Sequence, residues 1–351
     1  MAKSNPKRRE FDWRTYVKPS RLLTPAQEQS FADGLLAPLL AWTRAADSAR
    51  FEVRARQAAI YHAGTMLLRI RGAEQPFMGE IDSNVRLPRD ERAGAEHLET
   101  WPLSSADEVA AAVAELSLLA ELNDSYRDAD NPSERGMLHA FATANDGRSG
   151  AEARYVVADT EFQYGKRRFD FVGMRRAESV GGAAGFTTPR LVFGQFKWGN
   201  RALSGSSGVV AHAADFADFV QALGGTHLEA ARTELDELAQ QKLRLGLLSQ
   251  DLPFRHFTED EPEYLVVFCD YDLASVSLDV PLAEMHDKLV ARHCRPELLK
   301  FVGIDSGDGS KATPAPALGA EDALSYREFK RYRKALRNAN TDEDGLGTTK
   351  G

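Results

Sequence analysis

RLVFGQFKW, residues 190–198, and RRFDFVGM, residues 167–174, decide how this chain is read. Side chains alternate between the two faces of a strand. In the first segment Leu191, Phe193, Gln195 and Lys197 share one face, and Val192, Gly194, Phe196 and Trp198 share the other. Gln195 and Lys197 therefore project side by side from the end of a strand that begins apolar. In the second segment Asp170 lies between Phe169 and Phe171. A carboxylate in such a strand costs on the order of several kcal/mol unless it is paired or holds a cation. A neighbouring lysine or a bound metal would offset that cost. Asp170 and Lys197 either form a structural salt bridge between adjacent strands or both serve a metal site.

Working outward, ARYVVADTEFQY (153–164) precedes these runs and turns into the next at Gly165. AESVGGAAGFTTP (177–189) has the composition of a flexible loop. Asp159 and Glu161 alternate onto one face of the first run; they could be extra acids of the site, but the favoured reading is the solvated face of an edge strand. Upstream, helices are expected over 106–124 and from Pro132 to Ala144. Downstream, helices are expected over 210–223, 227–248 and 281–293, with EYLVVFCDY (263–271) and LLKFVGI (298–304) as further apolar runs. Strands alternating with helices imply an α/β core. Glu134 has two readings. Asn131-Pro132-Ser133-Glu134 fits an N-terminal capping box with Glu134 at N3, and the same carboxylate could complete a metal shell. His139, five residues on, points elsewhere on the helix and is read as structural. His212 begins the 210–223 helix near the proposed site. Asp215 and Gln221 on that helix could face substrate, but a solvated face is the simpler account for them.

The order of helix with Glu134, hairpin with Asp170, strand ending Gln195-x-Lys197, helix and further strand resembles the PD-(D/E)XK, or restriction-endonuclease-like, nuclease superfamily over roughly residues 131–271. The resemblance implies a mixed central sheet flanked by helices and a metal-dependent nuclease site. In it Asp170, Gln195 and Glu134 bind Mg²⁺ or Mn²⁺, and Lys197 assists the attacking water. It also implies a nucleic-acid partner, DNA before RNA, and a role in defence or repair. Gln195 stands where most members carry Glu, which removes one negative charge. A non-catalytic nucleic-acid-binding or scaffold protein of the same fold is the alternative.

The remaining chain divides by composition. Residues 1–22 read as a basic arm, with seven basic and two acidic side chains in the first 21. Residues 23–105 read as an N-terminal α+β region: a helix at 25–46, a small antiparallel sheet at 51–87, and a polar connection at 88–104. The nuclease-like core is placed at 106–304, and 305–320 is a Gly-, Ser-, Ala- and Pro-rich linker. Residues 321–351 form a basic C-terminal helix and tail. There Arg327, Lys330, Arg331, Arg333 and Lys334 alternate with Tyr326, Phe329 and Tyr332. Aromatics among cations suit nucleic acid, and they equally suit a helix docked on an acidic body by its aromatic stripe. The net charge is -8, so the body between the basic ends is acidic. With two cysteines, Cys269 and Cys294, in no CxxC or Cys/His cluster, neither a disulfide framework nor a structural zinc site is expected. The absence of a long apolar run and of a secretory signal points to a cytoplasmic protein with no membrane partner. A monomer or a homodimer is left open. No Walker A loop, GxGxxG, GxSxG or HExxH motif is present.

Overall fold

The computed structural model describes residues 20–54, 56–88, 91, 97–126, 133–147, 154–165, 167–176, 187–199, 203, 208–304 and 323–345, with 223 and 340–345 as backbone alone. Most of the basic arm, the Asn131-Pro132 segment, most of the 177–189 loop and the 305–320 linker fall outside these residues.

Thr24 opens α1 (Pro25–Ala32) with a capping box to Gln27 and with Pro25 in the first turn. The single helix expected over 25–46 is two. At Gly34 any side chain would lie 2.8 Å from the Ser30 Cα. The chain breaks there and restarts as α2 (Ala37–Ala45). Five strands follow: β1 (Ala49–Arg54), β2 (Gln57–His62), β3 (Thr65–Arg71), β4 (Phe77–Asp82) and β5 (Leu98–Leu103). They form an antiparallel meander in chain order. β5 corrects the polar connection expected over 88–104. Its side chains are mostly exposed, so no apolar alternation marks it, and its Pro102 is tolerated because β5 is an edge strand. Helix α3 (Ala106–Ser125), capped by Ser105 and Glu108, packs on α2, β3 and β5. It belongs to this first sheet rather than to the core that follows.

The second sheet contains β6 (Tyr155–Tyr164), β7 (Arg167–Arg175), β8 (Arg190–Trp198), β9 (Glu263–Cys269), β10 (Leu299–Ile304) and β11 (Leu324–Ser325), in the order β11-β10-β9-β8-β7-β6. β8, β9 and β10 are parallel; β6, β7 and β8 pair antiparallel, as do β10 and β11. The fold is α/β, with two open sheets. α4 (Glu134–Ala144) covers one face of the second sheet through Phe141, against Phe171 and Phe196. α5 (Val209–Gln221) covers the other through Phe216 and Phe219, against Phe169, Phe193 and Tyr264. β9 is buried along its whole length, as a parallel strand covered on both faces must be. α6 (Thr226–Arg244), α7 (Asp279–Val290) and α8 (Tyr326–Gly345) complete the chain.

One apolar core runs from the first sheet into the second. A buried ionic cluster joins the two. Asp159, fully buried, accepts from Arg21, Arg54 and Lys242, and Lys242 Nζ also donates to Glu52 at 2.7 Å. This corrects the solvated face expected for Asp159. β6 is an edge strand, but β1, α6 and the Arg21 segment cover that edge. Arg21 also anchors the end of the basic arm.

Among the described residues no helix is long and apolar enough to cross a membrane. Cys269 and Cys294 are both buried, and no disulfide joins them.

Candidate active site at the fork of two strands

The β7–β8 ladder ends at the pair Phe171 and Gly194. Beyond it β7 continues beside β6, with Phe169 opposite Phe162, while β8 continues beside β9, with Gln195 opposite Val266. The strands fork there. Gly194 permits the close approach: a Cβ would sit 1.9 Å from the Phe171 ring. The fork leaves the Phe196 N–H without a strand partner, and Asp170 supplies one, its Oδ2 accepting at 2.9 Å. The same oxygen accepts from Gln195 Nε2. Lys197, 4% exposed, places its Nζ 3.7 Å from Glu134 Oε1 at the start of α4. The four residues read from the sequence as a site therefore meet.

Glu134 does not take the N3 position of a capping box. Ser133 is the N-cap, its Oγ accepting from Gly136 N at 3.0 Å, and Glu134 is the first helical residue. Its half-exposed carboxylate is turned to Lys197. Asp170 and Lys197 share an electrostatic field rather than a direct ion pair. Burial pushes the Asp170 carboxyl up from an ordinary 3.8 to about 6, against the pull of Lys197 and of the Phe196 N–H, while Glu134 adds to the rise.

Three polar atoms at the fork have no hydrogen-bond partner among the described residues. They are Gln195 Oε1 and the Tyr264 hydroxyl, both buried, and Asp170 Oδ1, whose carboxylate bonds all fall on Oδ2. Tyr264 was legible in the sequence only as one aromatic of a strand. Its ionisation is pushed up by burial and then by Asp170 and Asp215. Orphaned oxygens beside a carboxylate fit a hard cation such as Mg²⁺, which takes one or two carboxylates and completes its shell with water. No group of three His, Cys, Asp or Glu side chains placed to hold a metal ion gathers among the described residues.

Glu161 departs from the surface strand position expected of it. Its φ of 51° is a left-handed conformation that costs about 1–2 kcal/mol in a residue with a side chain. Its carboxylate accepts from Arg135 Nη2 at 2.6 Å and from Arg168 Nη2 at 3.0 Å. His139 is structural, as expected: it is buried, with its ring edge-on to Tyr61. Asp215 is half-buried beside Arg167, its carboxyl raised by burial against the pull of that arginine. Gln221 is exposed at the end of α5.

The basic C-terminal helix is docked. Phe329 stacks on Phe301 at 5.0 Å and on Phe268 at 6.0 Å, and Tyr326 stacks on His286. Arg333 is corrected as a nucleic-acid contact. It is 1% exposed, donating to the Leu273 and Ser275 carbonyls and to Asp279. Its i+4 spacing from Phe329 puts it on the buried stripe. Arg327, Lys330, Arg331 and Lys334 occupy the opposite, exposed face.

Comparison of the chain with protein-family models, with curated proteins and with solved structures finds no match.

Proposed function

We propose that the chain is a divalent-cation-dependent nuclease that hydrolyses phosphodiester bonds, with DNA as the substrate favoured by its resemblance to the PD-(D/E)XK superfamily. The observation that carries this reading is the convergence of Asp170, Gln195, Lys197 and Glu134 at one strand fork, with orphaned oxygens beside a carboxylate. Asp170 and Gln195 would hold Mg²⁺ or Mn²⁺, with Glu134 at the margin. A bound cation supplies positive charge beside the scissile phosphate. Lys197, almost wholly buried, directs its ammonium into the same space, where it can orient the attacking water and neutralise charge developing on the phosphate oxygens. The exposed basic stripe of α8 adds a sequence-independent attraction for the nucleic-acid backbone.

One observation favours a second reading, a nucleic-acid-binding protein without catalysis. The Gln195 amide and the Phe196 N–H both donate to Asp170 Oδ2, so the buried carboxylate is partly compensated without a cation and only its Oδ1 is left for one. Incubation with plasmid and Mg²⁺ or Mn²⁺, beside Asp170→Ala and Lys197→Ala, separates the two. Cleavage lost in both variants supports the site; cleavage persisting in both sinks it. Nucleic-acid binding with neither cleavage nor calorimetric metal binding selects the second reading.

A further inference from the structure

We propose that Arg135 and Arg168 form a phosphate clamp for the DNA backbone beside Asp170, set in place by Glu161; the proposal rests on the nuclease reading above. Glu161 lies between Thr160, opposite Phe171, and Phe162, opposite Phe169. It is therefore level with Asp170 across the ladder. Its left-handed backbone takes it out of the regular pairing. Its Oε1 accepts from Arg135 Nε at 2.9 Å and Nη2 at 2.6 Å, and from Arg168 Nη2 at 3.0 Å. Arg135 follows Glu134 at the start of α4, and Arg168 precedes Asp170 by two residues on β7. One carboxylate thus ties the helix bearing Glu134 to the strand bearing Asp170.

The two arginines are half-exposed, at 47% and 56%, while Glu161 is 15% exposed. Each guanidinium spends only part of its donors on Glu161. Arg135 Nη1 and the Nε and Nη1 of Arg168 make no hydrogen bond among the described residues. Two cations on one carboxylate leave positive charge at the mouth of the site, and it reaches the site itself: Arg168 pulls on Asp170. A guanidinium with a free edge matches phosphate oxygens bidentately. The Thr160 carbonyl just before Glu161 accepts from Arg21 and Arg54 of the buried ionic cluster, which can hold the turned backbone. Exposed ion pairs of the kind Glu161 makes contribute little stability by themselves. What stability leaves unexplained is that one carboxylate gathers two half-used arginines, one beside Glu134 and one two residues from Asp170. A phosphate gripped by them accounts for it.

The test is binding of a DNA duplex to the full chain in EDTA, by fluorescence anisotropy across a salt series. Each phosphate contact contributes about 0.9 to the slope of log affinity against log salt, so Arg135→Gln combined with Arg168→Gln should flatten it by about 1.5–2. Affinity at low salt should fall about tenfold, with heparin binding and the melting temperature unchanged. An unchanged slope overturns the clamp, and so does an equal loss for heparin, which reports charge alone. Glu161→Gly, which relieves the left-handed backbone, should weaken duplex binding about threefold without lowering stability. A loss of stability with binding intact would make the bulge purely structural and overturn the proposal. A wild-type chain that binds no duplex, in EDTA or with Mg²⁺, removes the nuclease reading itself. A wild-type chain that binds, with the double arginine variant unaltered, removes only the clamp.

Discussion

Asp170→Asn should make the protein more stable at neutral pH while removing the cleavage proposed above. Burial at the fork raises the Asp170 carboxyl from 3.8 to about 6. The folded state therefore favours the protonated form more than the unfolded chain does. Between about pH 4 and pH 6 the folded chain binds the extra proton, so stability falls as pH rises through that window. Above about pH 7 the cost is complete. With each pKa unit equal to about 1.36 kcal/mol, a rise of about two units amounts to roughly 3 kcal/mol. The substituted asparagine keeps the size and an acceptor oxygen for the Phe196 N–H, and it carries no charge to desolvate. Chemical denaturation without metal should show the variant ahead by about 2–3 kcal/mol at about pH 7.5, with the difference closing near pH 4. Added Mg²⁺ should narrow the gap by stabilising the wild type alone. A variant that is less stable than wild type at that pH, or a difference that does not change with pH, would refute the reasoning.

Asp159→Ala strands Arg21, Arg54 and Lys242 beside Glu52, and removing one member of a buried ion cluster should cost about 3–5 kcal/mol in denaturation experiments. Ser133→Ala should cost about 1 kcal/mol through loss of the α4 cap. Glu134→Gln should leave stability within about 0.5 kcal/mol while lowering metal affinity or cleavage; a larger stability loss for Glu134→Gln than for Ser133→Ala would return Glu134 to a capping role. Gly194→Ala places a methyl inside the Phe171 ring and should cost about 1–3 kcal/mol, measured as a shift in the denaturation midpoint with the fold retained.

Much of the second sheet could be read along the chain. β8 is an apolar run between β7 and α5, β9 an apolar run between α6 and α7, and their burial follows directly from that pattern. Strand alternation alone put Gln195 and Lys197 side by side, and the polar interruption at Asp170 marked the same neighbourhood. β5 left no such trace, because an exposed edge strand has no apolar alternation to show. Asp159 misled for the opposite reason. Its neighbours read as an edge strand, and nothing local reveals that Arg21, Arg54 and Lys242, from three distant segments, cover that edge. Arg333 looks like its basic neighbours, and only the docking of Phe329 turns it inward.

Thus the sequence by itself determined which strands are apolar, where their polar exceptions fall and that the class is α/β, since these depend on periodicity within a few residues. The tertiary structure alone decided that β7 and β8 fork at Gly194, that Asp170 takes the orphaned Phe196 N–H, and that Glu134 turns from its cap to Lys197. It also decided that Glu161 gathers two arginines at the same mouth. Each of these depends on contacts between segments far apart in the chain, and short-range pattern carries no information about where such segments meet.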